Sequence, residues 1–391
     1  MSSFGETVRR IMLERGVSQN RLAGLARFDK GYLSKVINGR KVPTEAVARA
    51  CDAALGADGE IIAAMHLDTA AAREARPWQT ADLIEQVHAS EISVRTLEQV
   101  ETAVFELCCE YPHAEAAELR REAHRWLGRL AEALRRPLGL RQRQVLLTHA
   151  GQLALLASCL EYDLGLRVAA EATRTAARQL AHESGNGELL AWAHEMGAWF
   201  ALTQGRYADV LAEAEAGVLA GLNSSVAVQL LAQRAKALAR MGDTTAVRST
   251  LEEGAQRLGA LPPPARPEHH FHVDPGKWDF YAMDAYRLAG DDTRASRHAT
   301  EVLRTSAGPG GVERSPMRAA EARLTLGVVA ARAGDLERAV HHGVAALEGE
   351  RRSLPSLVMV ASELESVLHA RYPGEQSTQD FSTRLREVVR A

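Results

Sequence analysis

The chain has 391 residues, a quarter of them charged, and a formal net charge of −3 at neutral pH. That length supports two or three domains and a substantial core, and the near-neutral balance excludes a protein coated in basic surface. The sequence has no apolar run of about 18 residues and no charged-then-apolar leader, which leads to the expectation of a cytoplasmic protein with no membrane partner.

Charge is unevenly spread along the chain. Residues 1–49 hold ten Lys/Arg against four Asp/Glu, or +6, which leaves −9 for the remainder. Three of the five lysines, Lys30, Lys35 and Lys41, fall in one 12-residue window. A cationic island on an acidic body suits a small nucleic-acid module attached to something else. The stretch Ser18 to Thr44 reads as two short helices around a tight turn. Ser18 can cap the first, whose Leu22, Ala23 and Ala26 face inward; Asp29 can cap the second, where Leu33, Val36 and Ile37 form the buried stripe. Lys30, Gly31, Ser34, Lys35 and Asn38 are left facing outward. A helix in the major groove meets base edges with its first turn. Lysine there donates to guanine O6 and N7, and a glycine permits close approach.

Ser18-Gln19, Leu22-Ala23, Leu33-Ser34, Asn38-Gly39 and Pro43 match without a gap the pattern of phage-repressor (XRE-type) helix-turn-helix domains, so this module, residues 1–60, resembles that family. The resemblance implies base readers at Lys30, Gly31, Tyr32 and Lys35, and phosphate contacts at Gln19, Asn38, Arg40 and Lys41 that set register. It also implies a double-stranded, palindromic DNA operator read by a homodimer. One departure is Arg27, which stands where the family often has glycine. A non-glycine residue in a left-handed turn there costs about 1 kcal/mol.

Beyond the module, helical spacing recurs nearly everywhere, as in Leu146, Leu147, Leu153, Leu156 and Leu160, and the whole chain is predicted to be all-α. A connecting helix is expected over 61–77, ending before Pro77, followed by a helical linker region over 78–139. From Trp78 onward the breaks fall at Tyr111-Pro112, Pro137, Ser184 to Gly187, Leu261 to Pro264 and Gly308 to Gly311. Gly205, Gly242, Gly290 and Gly334 each separate two helical runs, with a weaker copy at Gly165. Glycine supplies the left-handed turn that ends one helix, and the aspartate that follows Gly242, Gly290 and Gly334 can cap the next. Gly334 to Leu347 resembles the second helix of a tetratricopeptide (TPR) repeat. Residues 140–391 are therefore expected to form a TPR-like α-solenoid, a sensor and dimerisation domain with a concave ligand groove; an irregular helical bundle is the competing reading.

Residues 269–287 gather five of the nineteen aromatics: Phe271, Trp278, Phe280, Tyr281 and Tyr286. Aromatic faces with polar tips suit ligand surfaces, although on helices they more often form inter-repeat core. Trp278, Tyr281 and Phe271 are the candidate effector contacts. His269, His270, His272 and Asp274 lack a further ligand at suitable spacing, and His341-His342 diverge on a helix, so no metal or cofactor is expected. Cys51, Cys108, Cys109 and Cys159 show no CxxC spacing and read as buried thiols. No phosphate-binding loop, GxSxG or HExxH is present. His88, His124, His149 and His194 read as isolated packing residues, so no enzyme is expected.

The layout is similar to that of peptide-sensing quorum regulators of Gram-positive bacteria, and of Arg-rich actinobacterial regulators. The quorum receptors clamp peptide backbone with asparagines, but after residue 40 this chain has only Asn186 and Asn223. That clamp transfers poorly, and arginines would suit a carboxylate-bearing ligand. The functional expectation is a DNA-binding transcriptional regulator whose repeat domain senses a peptide, small-molecule or protein effector. The alternative is a DNA-tethered scaffold or adaptor that binds a protein partner with no small effector.

Overall fold

The computed structural model describes residues 3–74, 93–222, 224–308, 313–349 and 351–390. The expectations that fall on residues 75–77, Trp78, His88, Asn223 and 309–311 lie outside them. The chain divides into two compact units, residues 1–87 and 88–391. Among the described residues there are 19 helices, and the only β-type pairing is an isolated bridge between Ala307 and Glu313. No helix there is long and apolar enough to cross a membrane.

The first unit holds α1 (Phe4–Glu14), α2 (Gln19–Ala26), α3 (Lys30–Ile37), α4 (Glu45–Leu55) and α5 (Glu60–Glu74). Side chains start these short helices by accepting otherwise unpaired backbone N–H groups: Ser3 from Glu6, Ser18 from Arg21, Asp29 from Tyr32 and Thr44 from Val47. Phe4, Val8, Ile11, Leu22, Leu33, Val36, Val47, Leu55 and Ile61 share one core. Asp52 ties α5 to α4, its carboxylate accepting from Gly59 N at 2.9 Å and Ile61 N at 3.0 Å.

The second unit opens with α6 (Val94–Glu110) and α7 (Ala116–Ala133). Six helix pairs follow: α8 (Leu140–Asp163) with α9 (Arg167–Ser184), α10 (Gly187–Thr203) with α11 (Tyr207–Ala220), and α12 (Ser225–Arg240) with α13 (Thr244–Ala260). Then come α14 (Pro275–Leu288) with α15 (Asp292–Ser306), α16 (Pro316–Ala333) with α17 (Leu336–Leu347), and α18 (Leu354–Arg371) with α19 (Gln376–Arg390). Each pair turns on a glycine with positive φ: Gly165, Gly205, Gly242, Gly290, Gly334 and Gly374. The sixth, Gly374, is not among the glycines singled out from the sequence. Asp243, Asp291 and Asp335 cap the second helix of their pairs as expected, accepting from Ala246 N, Arg294 N and Arg338 N.

The first helices of the pairs pack in series, α8 on α10, α10 on α12, α12 on α14, α14 on α16 and α16 on α18. The row then closes, because α18 also packs on α8 and α10. Trp199 Nε1 donates to Ser356 Oγ at 2.9 Å across that seam, and Arg351 reaches Asp163 at 2.9 Å and the Tyr111 carbonyl at 3.1 Å. The concave groove expected of an open solenoid is thereby a walled chamber.

Candidate DNA-reading surface and interior chamber

In the first unit, α2 ends on Arg27, which holds φ 57° and ψ 38°. The non-glycine residue does adopt the left-handed turn, and the chain reverses there into Asp29 and α3. Helix α1 braces α3 from behind. Gly5 lies so close that a Cβ on it would stand 2.1 Å from the Ile37 carbonyl oxygen, and Arg9 Nη1 donates to that same oxygen at 3.0 Å. Leu33, Val36 and Ile37 are buried, while Lys30, Gly31 and Lys35 are exposed. The inward and outward faces of α3 are those expected from its periodicity.

The remaining candidates differ in how free they are. Tyr32 is half-buried, stacked on Phe28 at 5.9 Å between ring centroids and covered by Lys41 Nζ at 4.6 Å. Its ring therefore joins the turn to α3 as well as bordering the outer face. Asn38 is exposed, yet its amide is engaged: Nδ2 donates to the Ser34 carbonyl at 2.9 Å and Oδ1 accepts from Arg9 at 3.2 Å. Arg40 and Lys41 are exposed beyond the end of α3. Gln19 is half-buried with its Nε2 shielded and unpaired, so contact with a phosphate requires the side chain to turn outward. Arg9 is the member of this surface that sequence reasoning missed, because it lies on α1, outside the cationic window.

In the second unit, the chamber offers about 100 Å³ to the centre of a water-sized sphere. Tyr111, Trp199, Phe280, Tyr281 and Met317 give it apolar walls; Glu195, Gln229, Gln233, Lys236, Lys277, Arg318 and Glu321 give it polar ones. Of the three effector candidates, Tyr281 lines the chamber and the other two do not. Trp278 packs outward against α13, where a Cβ on Gly254 would meet its ring at 2.3 Å. Phe271 packs edge-on against Trp192 at 5.2 Å. Three residues on a helix advance 300°, leaving Trp278 about 60° from Tyr281, enough to carry it from the inner face into the inter-helix layer. Lys277, Phe280 and Tyr281 take the inner face.

Behind Tyr281 lies a buried ionic cluster. Asp284 receives Lys236 Nζ and Arg240 Nη1, each at 3.2 Å, together with Arg287. Arg287, fully buried, also donates to Thr325 Oγ1 at 2.7 Å and Glu363 Oε2 at 3.1 Å. Burial alone would raise the Asp284 pKa, but Arg287, Lys236 and Arg240 hold it below the usual carboxylate range. Lys277 is pushed down to about 7 by burial and by the Arg318 charge. Glu321 is pushed up to about 7 by burial, against the pull of Lys236.

The histidines make ring-packing and hydrogen-bond contacts within the fold. His269 packs on Phe105 at 4.6 Å and His270 on Tyr111 at 3.8 Å, with His270 Nε2 3.2 Å from Cys159 Sγ. His124 pairs with Glu161 at 2.8 Å and His194 with Glu213 at 2.5 Å. Among the described residues no three His, Cys, Asp or Glu side chains gather as a metal site. Cys51, Cys108, Cys109 and Cys159 are free and buried, and burial raises all four thiol pKa values. Asn186 caps α10 through a bond from Leu189 N at 2.9 Å.

Comparison with characterised proteins as whole chains gives no match. Residues 3–65 match the family described as Helix-turn-helix domain, the stretch that runs from the α1 cap into α5. Residues 3–65 thus form a helix-turn-helix domain, the kind of module through which regulators bind DNA.

Proposed function

We propose that the chain is a sequence-specific transcriptional regulator of the XRE type, acting in the cytoplasm, with no enzymatic role. In this reading, α3 enters the major groove and its TPR-like ring senses an effector and holds a homodimer on two half-sites. The observation that carries it is the exposed row Lys30, Gly31 and Lys35 on α3, held out by a core that buries Leu33, Val36 and Ile37. One module has too little contact area for tight, specific binding, which favours a dimer on a palindromic operator. The walled chamber supports an effector-controlled regulator over a scaffold, since a scaffold needs no interior polar cavity.

Selection of bound duplexes from a random pool at physiological salt, using the full chain, tests this. A palindromic consensus is expected, and Lys35→Ala should weaken binding to it by roughly 1–3 kcal/mol relative to random DNA. An equal loss on both DNAs would assign Lys35 to phosphate alone, and a pool without any enriched sequence would end the reading.

A further inference from the structure

The chamber wall holds polar groups that the protein itself leaves unpaired. Gln233 Nε2 donates to Glu195 Oε1 at 2.8 Å, yet the buried Oε1 atoms of Gln229 and Gln233 receive no donor. Both side chains are at least nine-tenths buried and line the chamber. Arg318 is half-buried in the same wall and makes no hydrogen bond or ion pair among the described residues. Lys277 spends two of its three donors on the carbonyls of His270, at 2.5 Å, and His272, at 3.0 Å, which leaves one. Native interiors rarely leave buried polar groups without partners, so each such group calls for an explanation.

Charge points the same way. Lys236 is balanced by Asp284, but Lys277 and Arg318 repel one another, each lacking an ion pair with a chamber carboxylate. Burial raises the pKa values of both Glu195 and Glu321 and so disfavours their charged forms. Arg318 lacks an anion, and the Gln229 and Gln233 oxygens lack donors. Trp199, Phe280 and Tyr281 line the same chamber.

We propose that the chamber binds a metabolite-sized organic carboxylate, seated on Arg318 beside Lys277, with an apolar body against Trp199, Phe280 and Tyr281 and a hydroxyl or amine donating to Gln229 and Gln233. This rests on the effector-sensing reading above and gives it a ligand class. Size sets the upper limit: at about 10–15 Å³ for each water centre, the chamber's 100 Å³ suits a ligand of roughly ten heavy atoms.

The full chain can be titrated calorimetrically with 4-hydroxyphenylacetate, 4-hydroxybenzoate and 4-aminobenzoate, and with the corresponding uncharged amides. At least one acid should bind, and at least tenfold more tightly than its amide. Arg318→Met should remove that advantage while leaving the amide unchanged; Arg318→Gln serves as a second variant, with helical circular dichroism confirming the fold of both. The inference is overturned if no acid binds at millimolar concentration, if acid and amide bind alike, or if both Arg318 variants keep the preference. Operator affinity measured on the same samples separates the two ideas. Acid binding that leaves operator affinity unchanged upholds the ligand class and removes the sensing role. Operator binding without acid binding overturns the ligand class and leaves DNA recognition standing.

Discussion

At Arg27 the main chain sits at φ 57°, where a Cβ crowds the following carbonyl oxygen and costs roughly 1–2 kcal/mol. The side chain is exposed and makes no hydrogen bond or ion pair among the described residues to offset that strain. Arg27→Gly should therefore stabilise the helix-turn-helix domain, by about 0.5–1 kcal/mol once the greater freedom of glycine in the unfolded chain is subtracted. Urea unfolding of the two proteins measures it, and a destabilised variant would show that Arg27 is held by something other than backbone geometry. The position was legible in advance because the turn's location follows from the capped helices on either side, whatever residue occupies it. Arg9 was not legible. Its role depends on α1 lying across the end of α3, a contact 28 residues away in the chain that no local pattern encodes.

Among the elements, the inner helices α12, α14 and α16 show why the chamber was harder to read than the repeats. Turns repeat, so Gly205, Gly242, Gly290 and Gly334 stand out in the sequence, and each does take positive φ. Lys236, Lys277, Asp284, Arg287 and Glu321 look like ordinary solvated charges, since such residues are seldom buried unless paired. Here the partners come from different helices. Asp284 on α14 satisfies Lys236 and Arg240 on α12 as well as Arg287 on its own helix. A usable signal did exist: only two of five lysines lie outside the DNA module, and both line the chamber. The cluster predicts that Asp284→Asn strands three buried cations and lowers the stability of the second unit by about 3–5 kcal/mol. Calorimetry of the full chain should show this as a fall in the unfolding temperature of that unit, with the helix-turn-helix transition unmoved. An unchanged ring would mean that Glu363 and Thr325 suffice for Arg287 and that the other two cations find new partners.

Across the whole ring, closure joins residues far apart in sequence. Arg351, just before α18, bonds to Asp163 at the end of α8 and to the Tyr111 carbonyl, and the last inner helix meets the first. Periodicity predicts a solenoid and its pairing; it does not predict how much each pair rotates, and that rotation decides whether the row stays open or shuts. The interior desolvates Glu195, Lys277 and Glu321, which makes stability depend on pH. Glu321 has its pKa raised from 4.5 to about 7. The folded state therefore binds more protons than the unfolded chain between those values, and the Glu321 contribution is present below pH 4.5 and lost as pH rises through 7. His269, held down to about 3 by burial and by His272, has the opposite slope between about 3 and 6.5, so the overall profile mixes signs. Comparison with Glu321→Gln isolates the carboxyl, which feels Lys236, Asp284, Arg287 and Arg240. Near pH 4.5 the two proteins should be about equally stable. The variant should gain steadily as pH rises and level off above 7, on the order of 1–3 kcal/mol ahead. Denaturant unfolding at half-unit steps of pH would trace this difference. A constant offset across the range would show that the Glu321 carboxyl is not desolvated by its place in the wall.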